Sequence, residues 1–410
     1  MDKEILDYKG ISMLLLEKIL ELYWKPLREY LNAKPELIKT FPGFLLNPEK
    51  IIFYFSKTHL AIEYVGSEKV QEINNSFNFS VEIRDFTFID DNIVESIVGF
   101  KYDDSTFNKT FELPRYSENL IMPTNRGFDK LHELGWDFIA QNGIIAFNAG
   151  NFEIPRDTPS RYVNAFFFDC ENDSLKTRHI KWLECIPASF SDDNSEYDSF
   201  NFNIGFLNNL VNIDAHYQYP LPEDSDFKYV KLPQINRFIE LFGNKNTHEV
   251  ELTNFLEKDE NKFILLMAFF GKNVHSQLKC EWQSDERKPI KPDFFIEQPN
   301  GYANIVEFKL PEFKSRSLIG KPNRETFSAE LNSYISQTRV YKNYFNDPNN
   351  RKWFKEKYKF NVHNPKRILV IGRRWDFNND EWREIVSDFR DVEIVTYDDL
   401  VDGLFAQFYN

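Results

Sequence analysis

The spacing of hydrophobic and polar positions changes along this chain, and the changes mark its organisation. Residues 11–31 (ISMLLLEKILELYWKPLREYL) repeat their apolar positions at helical spacing, interrupted by Pro26. From about Lys50 the pattern becomes strand-like. KIIFYFS and HLAIEYVG predict a hairpin, SIVGFKYD with KTFELP predicts a second, and GIIAFNA, NAFFFDC and HIKWLECI are further strand candidates. SDDNSEYDS reads as a surface loop. A boundary falls near residues 218–246. There the Pro- and acid-rich QYPLPEDSD gives way to KLPQINRFIELFGNKN, an amphipathic helix ending at Gly243. The pattern predicts a mixed, β-rich amino-terminal region over 1–235, with room for two subdomains, and a second domain over 236–410.

The second domain follows a different order. Thr247 is a good cap for HEVELTNFLEKDENKFILLMAFFG, one or two helices with Leu252, Phe255 and Leu256 on one face. VHSQLKCEW, KPDFFIEQ and YANIVEFKLP read as strands, the last two joined by a tight PNG turn. ETFSAELNSYISQTRVYKNYF is a helix with Thr326 or Ser328 as its cap. KRILVIG is a strand apolar enough to be buried on both faces. NDEWREIVSDFR adds a helix and DVEIVTYD a strand. This order predicts an α/β domain around a central mixed sheet.

Composition removes several classes. The 410 residues are 42% hydrophobic and 28% charged, with only 15 Gly and 19 Pro, which excludes a disordered or collagen-like chain. The longest apolar run, Phe263 to Phe270, is far short of a membrane span. MDKEILDYKG has no basic stretch followed by an apolar one, and Cys170, Cys185 and Cys280 are isolated. The expectation is a soluble, cytoplasmic protein without disulfides or a zinc knuckle, and with no membrane partner. His59, His132, His179 and His216 stand alone and read as structural.

Charge is unevenly distributed. The net charge of -14 lies entirely in the first 240 residues, because residues 241–410 carry 26 basic and 26 acidic groups. Within that balanced half, residues 309–324 and 351–383 are locally basic. A local cationic patch can bind nucleic acid whatever the net charge.

The chemistry sits on the PNG hairpin. Pro292-Asp293 opens its first strand, and Glu307-Phe308-Lys309 lies on the second, with 13 residues between Asp293 and Glu307. Alternation puts Glu307 and Lys309 on one face and Phe308 on the other, and antiparallel pairing brings Asp293 towards both acid and ammonium. Two carboxylates, with the Phe308 carbonyl as a further oxygen, suit Mg²⁺, for which Mn²⁺ would substitute. Lys309 would hold the attacking water and offset phosphate charge. This is equipment for hydrolysing a phosphodiester.

Together, KPDFFIEQPNGYANIVEFKLPEFK, SAELNSYISQTRVYKNYF, KRILVIGRRW and VEIVTYDDL resemble the PD-(D/E)xK nuclease superfamily, and within it the carboxy-terminal nuclease domain of the Shedu anti-phage defence proteins. The resemblance covers about residues 245–405 and implies a restriction-endonuclease-like α/β fold. It implies a metal-dependent DNA endonuclease acting in bacterial immunity on double-stranded DNA, assembled as a homotetramer and regulated by its amino-terminal region. Asp293 and Glu307 become metal ligands and Lys309 the catalytic lysine. Gln337 and Tyr341 match a Q-x-x-x-Y on the following helix, Gln337 orienting water or phosphate. The superfamily's acid on the first helix falls to Glu249, ahead of Glu251 and Glu257. Glu281 and Glu297 read as structural or solvent-facing, and His248 and His275 have no positional claim.

Lys314, Arg316, Lys321 and Arg324 follow the E-x-K strand, and Arg373 and Arg374 follow a buried strand at its carboxyl end; these are candidate DNA contacts. The run from Arg351 to Lys359 reads as plain surface. Two alternatives compete. One is a restriction or repair nuclease outside phage defence. The other is a catalytically degenerate DNA-binding sensor.

Overall fold

A computed structural model describes residues 7–68, 72–74, 78–90, 92–102, 111–136, 144–145, 152–191, 199–219, 227–283, 286–313, 317–321, 325–377 and 379–409. It divides into two compact units. The first comprises 1–128, 138–169 and 178–230; the second takes 129–137 and 170–177 together with 231–410. Among the described residues, no helix is long and apolar enough to cross a membrane.

The first unit is built on a nine-stranded sheet. Lys50–Phe55 and His59–Val65 form the hairpin expected from their alternation, and Ser80–Asp85 pairs parallel to the first of them. NAFFFDC and HIKWLECI lie inside two long neighbouring strands, Ser160–Glu171 and Ser174–Ser191. Asn172 and Asp173 between them have φ of 49° and 63°, the left-handed pair that a two-residue hairpin turn demands. Of GIIAFNA only Ile144–Ile145 is described, as a strand. The loops expected at SDDNSEYDS and QYPLPEDSD fall largely outside the described residues.

Two expectations change in this unit. Among the described residues, SIVGFKYD and KTFELP form no hairpin, because Ile93–Val98 is a helix. Asn92 caps it, accepting from the Val94 N–H at 2.9 Å. Ile93, Val94, Ile97 and Val98 bury one face, and Gly99 at φ 77° ends it. Phe111–Glu112 instead pairs parallel with Phe152–Glu153. Pro26 does not break the first helix either. Tyr8–Ile19 runs through a π turn, Leu20–Trp24, into Lys25–Asn32, which places the proline in a first turn where no N–H is required.

The second unit is α/β. Its helices are α1 (Phe227–Gly243), α2 (Glu249–Glu257), α3 (Phe263–Ala268), α4 (Ala329–Asn346), α5 (Pro348–Tyr358), α6 (Asn379–Ser387) and α7 (Tyr397–Tyr409). Its five-stranded sheet runs β1 (Asn273–Ser276), β2 (Phe294–Glu297), β3 (Ala303–Phe308), β4 (Arg367–Val370), β5 (Val392–Val395). The first two pairings are antiparallel and the last two parallel, so the sheet is mixed. Helices cover both faces. Phe295 packs on Phe345 and Phe354 of α4 and α5, while Phe308 points the other way onto Tyr397, which also meets Phe238 and Phe242 of α1.

Ser328 caps α4, its hydroxyl accepting from the Leu331 N–H, while Thr326 belongs to a short strand pair. Thr247 does not cap α2; His248 occupies that position without a side-chain bond. Helices α5 and α7 were not foreseen.

Gly372, just past β4, shows why the backbone there is specific. Its φ is 71°, and a Cβ would sit 2.7 Å from a Phe313 ring carbon and 2.9 Å from one of Phe377. Gly372→Ala is expected to lower unfolding free energy by about 2–3 kcal/mol, from left-handed strain plus overpacking. Gly301→Ala, at φ 82° with open space around it, should cost only about 1 kcal/mol. Urea unfolding of both variants measures the difference, and equal losses would show that packing contributes nothing at Gly372.

Candidate active site

The β2–β3 hairpin carries the central groups. Gly301 turns the chain at φ 82°, and its N–H donates to the Gln298 carbonyl. Phe294 pairs with Val306 across the ladder, so the next pair outward is Asp293 with Glu307. Phe308 fills the opposite face against Phe294 and Tyr397. That packing directs Glu307 and Lys309 towards α2 and α4. Both are deeply buried, at 2% and 6% exposure. Buried charges are tolerated only with partners.

Those partners are present. The Lys309 ammonium lies 3.0 Å from Glu307 Oε1 and 3.1 Å from Glu249 Oε1. Gln337 Nε2 donates to Glu307 Oε1 at 2.7 Å, and the Tyr341 hydroxyl donates to Oε2 at 3.0 Å. These two sit one turn apart on α4, and Gln337 also donates to Tyr341. Asp293 accepts the Phe308 N–H at 2.9 Å, and its own N–H reaches Glu307 Oε2 at 3.4 Å. Among the described residues, no group of three or more His, Cys, Asp or Glu side chains is arranged to hold a metal. The third acid, Glu249, engages the ammonium.

Electrostatics at the site follow from burial. Asp293 is pushed up to about 7, first by loss of water and then by the Glu307 charge, against the opposing Phe308 N–H and Lys309. Burial also raises Glu307, outweighing the pull of Lys309 and Tyr341. For Lys309 burial acts downward, but Glu307 and Glu249 outweigh it and hold the ammonium above its ordinary value. Lys309 is therefore a cation and a hydrogen-bond donor at neutral pH. The pair Asp293 and Glu307 shares an excess of negative charge that a proton or a cation relieves.

The remaining candidates separate. Glu251 is exposed and Glu257 half-buried, and of the three helix acids Glu249 is the one bonded to Lys309. Lys321 is exposed, while Lys314, Arg316 and Arg324 lie outside the described residues. Arg373 and Arg374 must be withdrawn as DNA contacts. Arg373 is 3% exposed, forked onto Asp398 at 2.9–3.2 Å, and sandwiched by Trp375 and Phe242. Arg374 is held by Asp173, Asp399 and Asp402. Guanidinium groups already committed to internal carboxylates cannot also neutralise a phosphate. Glu297 pairs with Asn273 and His275, and Glu281 with Lys279. His248 is exposed.

Three residues at the site escaped the sequence reading. Gln277 follows β1 with φ 53°, an uncommon conformation for a non-glycine residue. Its backbone N–H bonds the Asp293 carbonyl at 2.8 Å, and its amide reaches Asp293 Oδ1 at 3.3 Å. Tyr397 donates to the Lys309 carbonyl at 2.7 Å, and the Tyr334 ring lies 5.7 Å from the ammonium. Gln277 and Tyr397 carry no spacing signal, because each arrives from a separate element, whereas Tyr334 sits one turn before Gln337 on α4, a helical spacing that could have found it.

Residues 246–401 match the family described as Shedu protein SduA, C-terminal. No curated protein matches the chain.

Proposed function

The carboxy-terminal domain of this chain belongs to the Shedu family of anti-phage proteins, and from that premise we propose that it is a metal-dependent DNA endonuclease of the PD-(D/E)xK kind. The observation that carries the reading is the grouping of half-buried Asp293 with the buried Glu307 and Lys309, and with Glu249, Gln337 and Tyr341 bonded into it. A purely structural core would gain nothing from two adjacent carboxylates whose mutual repulsion and burial raise their proton affinity.

The donor set fits a hard divalent ion. Asp293 and Glu307 supply carboxylate oxygens, the Phe308 carbonyl is a further oxygen, and Mg²⁺ commonly takes only one or two carboxylates plus waters. Such an ion, Mg²⁺ or Mn²⁺, would supply charge neutralisation at the phosphate and a more acidic water. The chain's own groups do the rest. Lys309, charged at neutral pH, serves as a donor to a phosphate oxygen or the attacking water, and not as a base. Glu249 aims the ammonium from the helix side. Gln337 and Tyr341 fix the rotamer of Glu307 so that its oxygens keep their direction. The net charge of -14 in the first 240 residues suits a regulatory rather than a DNA-binding role for that region.

Two measurements test this reading. Plasmid nicking should require Mg²⁺ or Mn²⁺, vanish in EDTA, and be lost in Asp293→Asn. Cutting that persists in EDTA would end the proposal. The second is thermal. Asp293 has a folded value of about 7, above its ordinary value of ~4, so the metal-free chain binds more protons than its unfolded form between those limits. Its stability therefore falls as pH rises through that window. Mg²⁺ competes with this proton, so the melting temperature should rise more with Mg²⁺ at pH 8 than at pH 5.5. A larger rise at the acidic pH would contradict the assignment of Asp293 as a ligand.

A further inference from the structure

The connection from β1 to β2 leaves the candidate active site and returns to it. Gln277 and Asp293 form its base, joined by the Gln277 N–H to the Asp293 carbonyl. Further out, Cys280 and Ile290 form an isolated bridge in which they exchange both backbone hydrogen bonds. From there the connection lies against α5. The Gln283 N–H bonds Asn350 Oδ1 at 2.8 Å, and the Tyr358 hydroxyl bonds the Lys279 carbonyl at 2.8 Å. Cys280, Leu278, Trp282 and Ile290 share one apolar cluster with Trp353, Phe354 and Tyr358.

This contact joins two basic segments that the sequence keeps some sixty residues apart. Residues 351–359 carry five cations against Glu356, and residues 279–291 carry four against Glu281, Asp285 and Glu286, of which Asp285 lies outside the described residues. Their side chains meet at Glu281, which lies 3.1 Å from Lys279 and 3.9 Å from Lys357. One carboxylate between two ammonium groups leaves positive charge in excess. Lys357 is also held over the rings of Trp353 and Tyr358, at 4.5 and 5.4 Å, and Arg287 stacks over Trp282 at 4.9 Å. Stacking of this kind limits the rotamers of long cations, so less order is lost when a phosphate binds them.

We infer that this face, formed by residues 279–283, residues 286–291 and α5, is where the sugar–phosphate backbone of duplex DNA docks beside the scissile site. The inference rests on the nuclease reading above and extends it by naming the surface that receives the substrate. It also revises the reading of the Arg351–Lys359 run as plain surface. Lys291 stands two residues from Asp293 and Lys288 five, so the cations of this face would meet phosphates flanking the cut. Arg351 is set apart, since its guanidinium caps the Phe345 and Asn346 carbonyls at the end of α4.

The test is equilibrium binding of a short fluorescein-labelled duplex to the full-length protein in EDTA, read by fluorescence anisotropy across a salt series. The patch variant is Arg287→Glu/Lys357→Glu/Lys359→Glu. A control, Lys9→Glu/Lys25→Glu/Lys39→Glu, changes net charge equally at exposed lysines of the first unit. A second patch variant with Gln in place of Glu covers the case in which charge reversal perturbs folding, checked by circular dichroism. The patch variant should bind at least ~10-fold more weakly, with a log–log salt slope shallower by about 2–3, while the control changes little. Tight wild-type binding with patch and control variants indistinguishable would overturn this inference and leave the nuclease reading intact. A wild type that binds no duplex at any salt concentration would overturn both.

Discussion

Lys309→Met should reduce DNA cleavage on the order of a thousandfold or more while leaving the carboxy-terminal unit folded. Methionine preserves the length and apolar stem of the side chain and removes only the ammonium. Among the described residues, that ammonium is the one cation bonded to both Glu307 and Glu249, and burial strengthens its effect on a developing charge. Without it, Glu307 keeps the Gln337 and Tyr341 donors, so the hairpin retains its anchorage to α4. The carboxylates, however, lose their nearest counter-charge and take up protons more readily still. The metal-free variant should therefore lose more stability relative to wild type at pH 8 than at pH 5.5, because ionisation there becomes costlier. Cleavage within tenfold of wild type would remove Lys309 from the chemistry. A variant that fails to fold at either pH would make its role structural. Lys309→Arg should not restore activity, since a planar fork cannot occupy the site of a point charge between two carboxylates.

The amino-terminal unit holds the second large effect. Arg161 is bonded to Glu184 at 2.7 Å and to both oxygens of Asp214 at 2.6 and 3.0 Å, and it lies 4.4 Å over the Trp182 ring. Trp182 and Tyr23 complete the network, donating to Glu184 and Asp214 at 2.8 Å each. All three charges are buried, and burial raises Glu184 despite the opposing pull of Arg161. Arg161→Met leaves two carboxylates buried without a cation and should cost about 3–5 kcal/mol. Tyr23→Phe removes one hydrogen bond to a charged group and should cost about 1.5–3 kcal/mol. Urea unfolding or amide exchange in the strands around Ser160–Glu171 would measure both. A loss below ~1 kcal/mol for Arg161→Met would mean that water reaches the carboxylates and the network contributes little.

Much of the second domain was legible in the sequence, because its signals are local. Alternation and a PNG turn define the β2–β3 hairpin, a continuous apolar run defines β4, and a hydroxyl three residues before Leu331 defines the start of α4. Period two then places Glu307 and Lys309 on one face with Phe308 on the other. Where local signals are ambiguous, the reading failed. Ile93–Val98 is a short Val- and Ile-rich run that fits strand or helix equally by composition, and the Asn92 cap with one packed face decided for helix.

The rest depends on contacts between distant segments. Arg373 at the end of a strand could equally have faced a ligand or the core; Asp398 and Phe242, from two distant segments, bury it together with its neighbour Trp375. Gln277 reaches Asp293 only because β1 ends in a left-handed turn beside it. Two basic segments become one face only because Trp282 and Trp353 enter the same core. The sequence by itself determined the α/β order, the hairpin and the residue types of its chemistry, since these follow from neighbours along the chain. Which charges are committed inward, which acid meets Lys309 and which cations stand together were decided by tertiary packing alone. Burial and pairing are properties of the space between elements.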